Sequence, residues 1–459
     1  MDNRAPAENK MGVMPIPKLI VNMSLPMIIS MLVQALYNIV DSFFVAKVSE
    51  QSLTAVSLAF PAQNLMIGVA TGTAVGVNAL LSRALGEKNQ KLANDIAEHG
   101  VFLAMVGYAL FLIFGLFGVR VFFAAQTDVK QIVDYGVDYL SVVCCFSFGL
   151  FGQIMFERLM QSTGRTIYTM FTQGLGAIIN IILDPVFIFV FHQGVKGAAI
   201  ATVIGQIIAF GLAVWLNHVK NADVQLNARS FRPKGRIIAR IYAIGVPSIL
   251  MVAIGSVMTF AMNKILIVYH VAKETAATIF GIYFKLNSFV FMPVFGLNNG
   301  IIPIVAYNYG AQNRRRMLQA IKISVMIVSS YMILGAVVFM AVPGSLLNIF
   351  NASETMLQYG RPALRIIGST FILAGVCIAL GSSFQALGFG IYSMIVSLAR
   401  QLLVLVPAAF LLGRLGAHTG NSDLVWYAFP IAEIMSLVVT LYLYSRLYTN
   451  VISTVPEGK

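Results

Sequence analysis

The sequence predicts an all-α polytopic membrane protein with twelve transmembrane helices in two pseudo-symmetric six-helix bundles. Three observations carry this reading. Of 459 residues, 58% are hydrophobic and only 11% charged, where a soluble domain carries about a quarter charged residues; the mean hydropathy is +0.82. Twelve stretches are apolar over the roughly 20 residues a helix needs to cross a bilayer. The chain also matches itself at a constant offset of 224 residues.

The spans fall at 19–45, 53–80, 97–119, 135–157, 166–191, 196–217, 237–268, 278–305, 320–342, 361–384, 390–413 and 424–447. Most are separated by polar breaks that carry cations. Lys47 follows the first span. Arg83, Lys88 and Lys91 follow the second, and Arg120 and Lys130 the third. Arg158 and Arg165 follow the fourth, and Lys196 opens the sixth. The longest break, His218–Arg236, contains Pro233 and Gly235 and reads as a linker. It divides the chain into an N-lobe (1–217), the linker (218–236) and a C-lobe (237–459). In the second half Lys264 and Lys273 flank the seventh span's end. Arg314, Arg315, Arg316 and Lys322 follow the eighth, Arg361 and Arg365 open the tenth, and Arg414 closes the eleventh.

With the N-terminus inside, 20 of the 31 Lys and Arg lie in inner segments, including Arg229 in the linker. Nine lie outside, and Lys285 and Arg400 lie within spans. This bias puts both termini in the cytoplasm and accounts for the net charge of +13 without a nucleic-acid partner. The first sixteen residues, with Asp2, Arg4, Pro6 and Glu8, do not form a cleavable leader, so the first span is expected to be retained. Cys144, Cys145 and Cys377 sit in apolar stretches without metal-ligand spacing and read as packing residues.

The repeat pairs Gly72, Gly76, Gly86 and Asn89 with Gly296, Gly300, Gly310 and Asn313. It also pairs Gln161, Gly164 and Tyr168 with Gln385, Gly388 and Tyr392. Six spans per half is an even number, so the halves run parallel, a transporter plan with a cleft between lobes. Such a duplication removes the need for a dimer, and a monomer is expected. The Gly72/Gly76 and Gly296/Gly300 pairs have the G-x-x-x-G spacing of close helix crossings.

Ionisable groups at mid-membrane cost about 2.5–3.5 kcal/mol on insertion scales, so each marks a candidate site. Asp41 continues a stripe of Ser30, Gln34, Tyr37 and Asn38 on one helix face. Asp184 follows Asn180 by four residues and shares its face; Thr202 lies early in span 6. At a rise of about 1.5 Å per residue, all three elements bring these groups to the outer half of the N-lobe. Two carboxylates, an amide oxygen and a hydroxyl suit a hard cation such as Na⁺, or a shared proton. Pro26 removes a backbone donor upstream and is a candidate hinge. In the C-lobe, Lys285, Arg400 and Glu433 form a second polar group; similar depths predict a Lys285–Glu433 pair. The sequence has no G-x-x-x-x-G-K-[ST], H-E-x-x-H or G-x-S-x-G motif. No cofactor or nucleotide motor is expected, and an ion gradient is the expected driving force.

These residues resemble the multidrug and toxic compound extrusion (MATE) family over nearly the whole chain. The motifs are Leu36-Tyr37-Asn38-Ile39-Val40-Asp41, Asn180 to Pro185, Gly197 to Thr202, and Gly296-Leu297-Asn298-Asn299-Gly300 running to Tyr307-Asn308-Tyr309-Gly310. The resemblance implies a secondary active multidrug efflux antiporter. It would exchange organic cations or amphipathic drugs for Na⁺ or H⁺, among membrane lipids, in a bacterial inner membrane. It implies a cation site of Asp41, Asn180, Asp184 and Thr202, which would also be the metal ligands if the ion is Na⁺. It places Gln34, Tyr37 and Tyr139 beside the cavity, and gives Pro26 a part in bending span 1. Span 7 carries Asn263 at the counterpart of Asp41, and span 10 has no Asp or Glu, so a second C-lobe cation site is not expected. A flippase for a lipid-linked saccharide is the alternative within transport; it would need a more basic cavity. A membrane enzyme would need paired His or an activated nucleophile, and a scaffold would have no use for intramembrane carboxylates.

Overall fold

The computed structural model describes residues 9–227, 231–350 and 352–458; Asp2, Arg4, Pro6, Glu8 and Arg229 lie outside them. Among these residues there is no strand. Ten helices are long and apolar enough to cross a membrane, and two bent pairs complete twelve. The first half comprises α1 (Ile16–Ala46), α2 (Glu50–Gly86), α3 (Gln90–Ala124), α4 (Lys130–Cys145 with Phe148–Ser162), α5 (Thr166–Val190) and α6 (Gly194–Lys220). The second comprises α7 (Gly235–Tyr269), α8 (Glu274–Gly310), α9 (Arg314–Ala341), α10 (Glu354–Gly368 with Phe371–Ala386), α11 (Gly390–Thr419) and α12 (Ala428–Asn450). The helices overrun the apolar stretches because backbone hydrogen bonding continues into polar ends that hydropathy excludes.

The repeat recurs in the backbone. Both bent pairs, α4 and α10, turn by 44°. Gly164 and Gly388, 224 apart, have φ of 87° and 91°, a left-handed conformation that glycine enters without Cβ strain. Asn89 and Asn313 both cap the following helix, accepting from Leu92 N and Arg316 N at 3.0 Å.

The halves join by exchanging helix ends. Ile16, Leu19, Ile20 and Met23 of α1 pack in the hydrophobic core of the second half. Ile237 and Ile241 of α7 pack in that of the first. The G-x-x-x-G pairs make these crossings. A Cβ on Gly72 would lie 2.5 Å from Ile249 Cγ1 and 2.9 Å from Gly245 O; one on Gly296 would lie 2.7 Å from Ile28 Cα. Twelve spans put both ends of the chain on the face that carries the 218–236 linker. There the halves are also tied by Arg316 Nη2 donating to Met11 O (3.0 Å) and Met14 O (2.7 Å), and by Asn308 Nδ2 donating to Met11 O (3.2 Å). Toward the far face, Asn64 Nδ2 donates to Ser256 Oγ at 3.3 Å. One turn beyond, Phe60 and Phe260 are 61% and 70% exposed. The seam is therefore tied at the linker face, and beyond the Asn64–Ser256 contact its outermost aromatic residues are exposed.

Candidate functional site

Three helices of the first half bring the predicted polar residues together. Asn180 and Asp184 are one turn apart on α5 and both are buried. Asn180 Nδ2 donates to Asp184 Oδ1 (3.3 Å) and across to Thr202 Oγ1 on α6 (3.1 Å). Asp41, on α1, comes within hydrogen-bonding range of Asp184. Asp41 Oδ1, Asp184 Oδ2 and Asn180 Oδ1 are buried with no hydrogen-bond partner. The cluster thus has oxygen acceptors to offer and no spare donor from its amide. Tyr37 and Tyr139 lie near the two carboxyl groups, and Gln63 Nε2 donates to the Tyr139 hydroxyl at 3.1 Å.

Below this cluster a cavity opens among α1, α2, α4, α5 and α6, with about 950 Å³ of space between its atoms, mouth included. Gln34, Tyr37, Asn180 and Thr202 line it. Asp41 and Asp184 stand one helical turn beyond, toward the far face. Asn38 is exposed and is not among the lining residues. The cavity lies inside the first half rather than in the cleft between halves, because the seam is filled by the glycine crossings. Gly176 and Ala177, by contrast, leave room on the wall of α5.

α1 runs as one helix through Pro26. Pro26 has no N–H for the carbonyl of Asn22. The Thr166 hydroxyl takes up that carbonyl at 3.5 Å, and Ser30 Oγ donates to the Pro26 carbonyl at 2.9 Å. The carbonyl that Pro26 frees is therefore not left without a donor, and Ser30 adds a side-chain bond at the Pro26 carbonyl.

The second-half cluster differs from expectation. Glu433 pairs with Arg400 (3.3 Å), not with Lys285. Lys285 is exposed, its Nζ 5.8 Å from the Phe350 ring centroid. Equal depth constrained the pair along the membrane normal but not in rotation about α8, where Tyr283 and Leu286 take the buried positions. Arg400 sits in a π-helical stretch, Ala399–Leu405, whose wider turn re-aims its side chain. Glu433 Oε2 remains without a partner.

Two buried charges were missed. Glu157 was placed at the last position of a span, and Arg158 was assigned to a loop. Both lie on the second segment of α4, 2% and 8% exposed, and both line the cavity. Gln153 Nε2 (2.9 Å) and Thr172 Oγ1 (2.7 Å) donate to Glu157 Oε1, and Gln173 Nε2 donates to Oε2 (2.9 Å). Arg158 Nη1 donates to Gln161 Oε1 (2.9 Å) and, across the seam, to Asn299 Oδ1 on α8 (3.0 Å). The available signal was Gln153-Glu157-Gln161 at four-residue spacing, a polar face continuing past the apolar limit.

The chain is similar to the multidrug export protein MepA of Staphylococcus haemolyticus (strain JCSC1435), 25% identical over 431 residues and 94% of each chain. It superposes on a solved structure described as the outward-facing conformation of a multidrug resistance MATE family transporter of the MOP superfamily. That match has a TM-score of 0.90 and 24% identity, over 98% of this chain and 99% of the other. An equal TM-score of 0.90, at 23% identity over 98% and 100%, relates it to a MOP superfamily transporter from Pyrococcus furiosus, described as having a binding pocket of reversed polarity that suggests a different function. The fold is thus common to pockets of unlike chemistry, and the pocket residues carry the functional argument. The MatE family pattern covers residues 26–186 and 247–411, and with its twelve-helix, duplicated architecture the chain belongs to the MatE family.

Proposed function

We propose that the protein is a secondary active multidrug efflux antiporter. It exports organic cations or amphipathic drugs in exchange for Na⁺ or H⁺ by alternating access, as a monomer among the lipids of a bacterial inner membrane with the linker face in the cytoplasm. Family membership and the multidrug export role of the MepA relative support the drug-export part. The excess of Lys and Arg in segments on the linker face supports the orientation.

One observation carries the coupling: Asp41 and Asp184 in contact, with unpartnered oxygens and Asn180 beside them, at the end of an open cavity. Two carboxyl groups this close repel as a pair of anions, and one proton or one Na⁺ between them removes the repulsion. An arriving ion takes the negative charge that an organic cation in the cavity would otherwise use. The drug is released toward the far face. The seam then opens at the linker face, the ion leaves to the cytoplasm, and a new drug restores the charge balance. Exchange is obligatory because ion and drug bind differently to the same carboxylates. The lipid-linked saccharide flippase gains no support from the cavity, where Arg158 is offset by its neighbour Glu157.

The test is efflux of a fluorescent organic cation from proteoliposomes under an imposed Na⁺ or pH gradient, for wild type and Asp41→Asn. Gradient-driven flux in wild type that is lost in folded Asp41→Asn is expected, and the effective gradient names the ion. Full gradient-driven export by the variant would refute the coupling role.

A further inference from the structure

Glu157 is the buried carboxylate that the coupling cluster does not use. It lies at the opposite end of the cavity: from Gln173, which touches it, to Asp184 is eleven residues along α5, about 16 Å. Its three donors turn their neighbours in a defined sense. An ionised carboxylate only accepts, so Gln173 must present its NH₂ to Glu157, which points its carbonyl Oε1 elsewhere. That atom is buried and unpartnered. Asn180 repeats the arrangement, its NH₂ committed to Asp184 and Thr202 and its Oδ1 unpartnered. Gln206, one turn from Thr202 on α6, also has a buried, unpartnered Oε1. All three amides line the cavity. No buried, unpartnered donor atom is found among the described residues that line it. Arg158, the one Lys or Arg among the described residues that line it, donates to Gln161 and to Asn299 of the other half.

Resting on the efflux reading, we propose that Glu157, with the carbonyl oxygens of Gln173, Asn180 and Gln206, forms a ligand anchor separate from the coupling pair, selective for cations rich in N–H donors. Amidinium, guanidinium and primary ammonium groups supply what this wall lacks. A quaternary ammonium or phosphonium offers charge but no donor, leaves the oxygens unpartnered, and is held less well. A phosphate or other anion meets the Glu157 carboxylate and these carbonyl oxygens and is disfavoured there. Substrate choice is then set at Glu157 and ion coupling at Asp41 and Asp184, so the two are separable by mutation.

The experiment is equilibrium binding to the purified full-length protein. The probes are 4′,6-diamidino-2-phenylindole, a bis-amidinium fluorophore, and tetraphenylphosphonium, a cation without N–H groups. Glu157→Gln is expected to weaken bis-amidinium binding about tenfold or more, equivalent to about 1.4 kcal/mol, and phosphonium binding less than about threefold. Gln173→Met, which removes one carbonyl oxygen and keeps Glu157, is expected to change the same ratio in the same direction. It provides the reading if Glu157→Gln does not fold. Equal loss for both probes, or no loss for either, overturns the proposal, as does wild type binding no bis-amidinium. Selective binding in a protein that no ion gradient drives would sink the antiport cycle and leave this anchor standing.

Discussion

Gly72→Ala tests whether the glycine crossing sets the conformational balance. The new Cβ would stand 2.5 Å from Ile249 Cγ1, 2.9 Å from Gly245 O and 3.0 Å from Ile249 N. Two of these are backbone atoms of α7, so rotamer changes alone do not relieve the clash. Overpacking of this kind costs about 1–3 kcal/mol. The contact is between halves, so the cost falls on the arrangement closed at the linker face and is absent once the halves separate there. A penalty confined to one of two states shifts their ratio by about 5- to 150-fold. The assay is the distance between spin labels at positions 60 and 260, exposed residues of the two halves toward the far face, in a background lacking Cys144, Cys145 and Cys377. Gly72→Ala is expected to move population away from the arrangement seen here, toward one in which the two labels lie closer. Gly211→Ala, whose Cβ would meet nothing within 4 Å, is the control and is expected to leave the distribution alone. An unchanged distance distribution in a folded Gly72→Ala protein would refute the assignment of this seam as the moving contact.

Thr166→Val is expected to destabilise by about 0.5–1.5 kcal/mol by thermal melting, since it strips the donor from the Asn22 carbonyl. The loss should shrink in Pro26→Ala, which restores the helical N–H. Glu433→Ala is expected to lower stability by about 1.5–3 kcal/mol through loss of its charged hydrogen bond with Arg400, while exposed Lys285→Met stays within about 0.5 kcal/mol; equal effects would restore the Lys285 pairing. His270, at the end of α7, accepts the Ala272 N–H at Nδ1 (3.0 Å) and packs on Tyr359. Burial holds its imidazole down at about 4 from an ordinary 6.5. The unfolded chain takes up this proton first on acidification, so stability is complete above about pH 6.5 and falls as pH drops toward 4. His270→Asn is expected to flatten that slope, read as melting temperature against pH.

The span count and the duplication were legible because bilayer thickness and helical rise act on each segment alone. Asn180 and Asp184 were legible as a pair because four residues make about one turn. Asp41 joined them because its depth on α1 matched theirs. Glu157 was hidden by the same hydropathy reading that worked elsewhere. A polar face of Gln, Glu and Gln at the end of a span resembles a loop until α4 bends by 44° and carries it beneath α5.

The sequence by itself determined how many helices cross, that the halves run parallel, and that Asp41, Asn180, Asp184 and Thr202 lie at one level. These follow from length, periodicity and the cost of burying charge, all local properties of one helix. Only the tertiary structure decided which face each helix turns to its neighbours. It put Arg400 rather than Lys285 against Glu433, gave Asn22's freed carbonyl to Thr166, and set a row of acceptor oxygens around a cavity in one half. Rotation about a helix axis is decided by packing against other helices, and residues far apart in the chain meet only when that packing is complete.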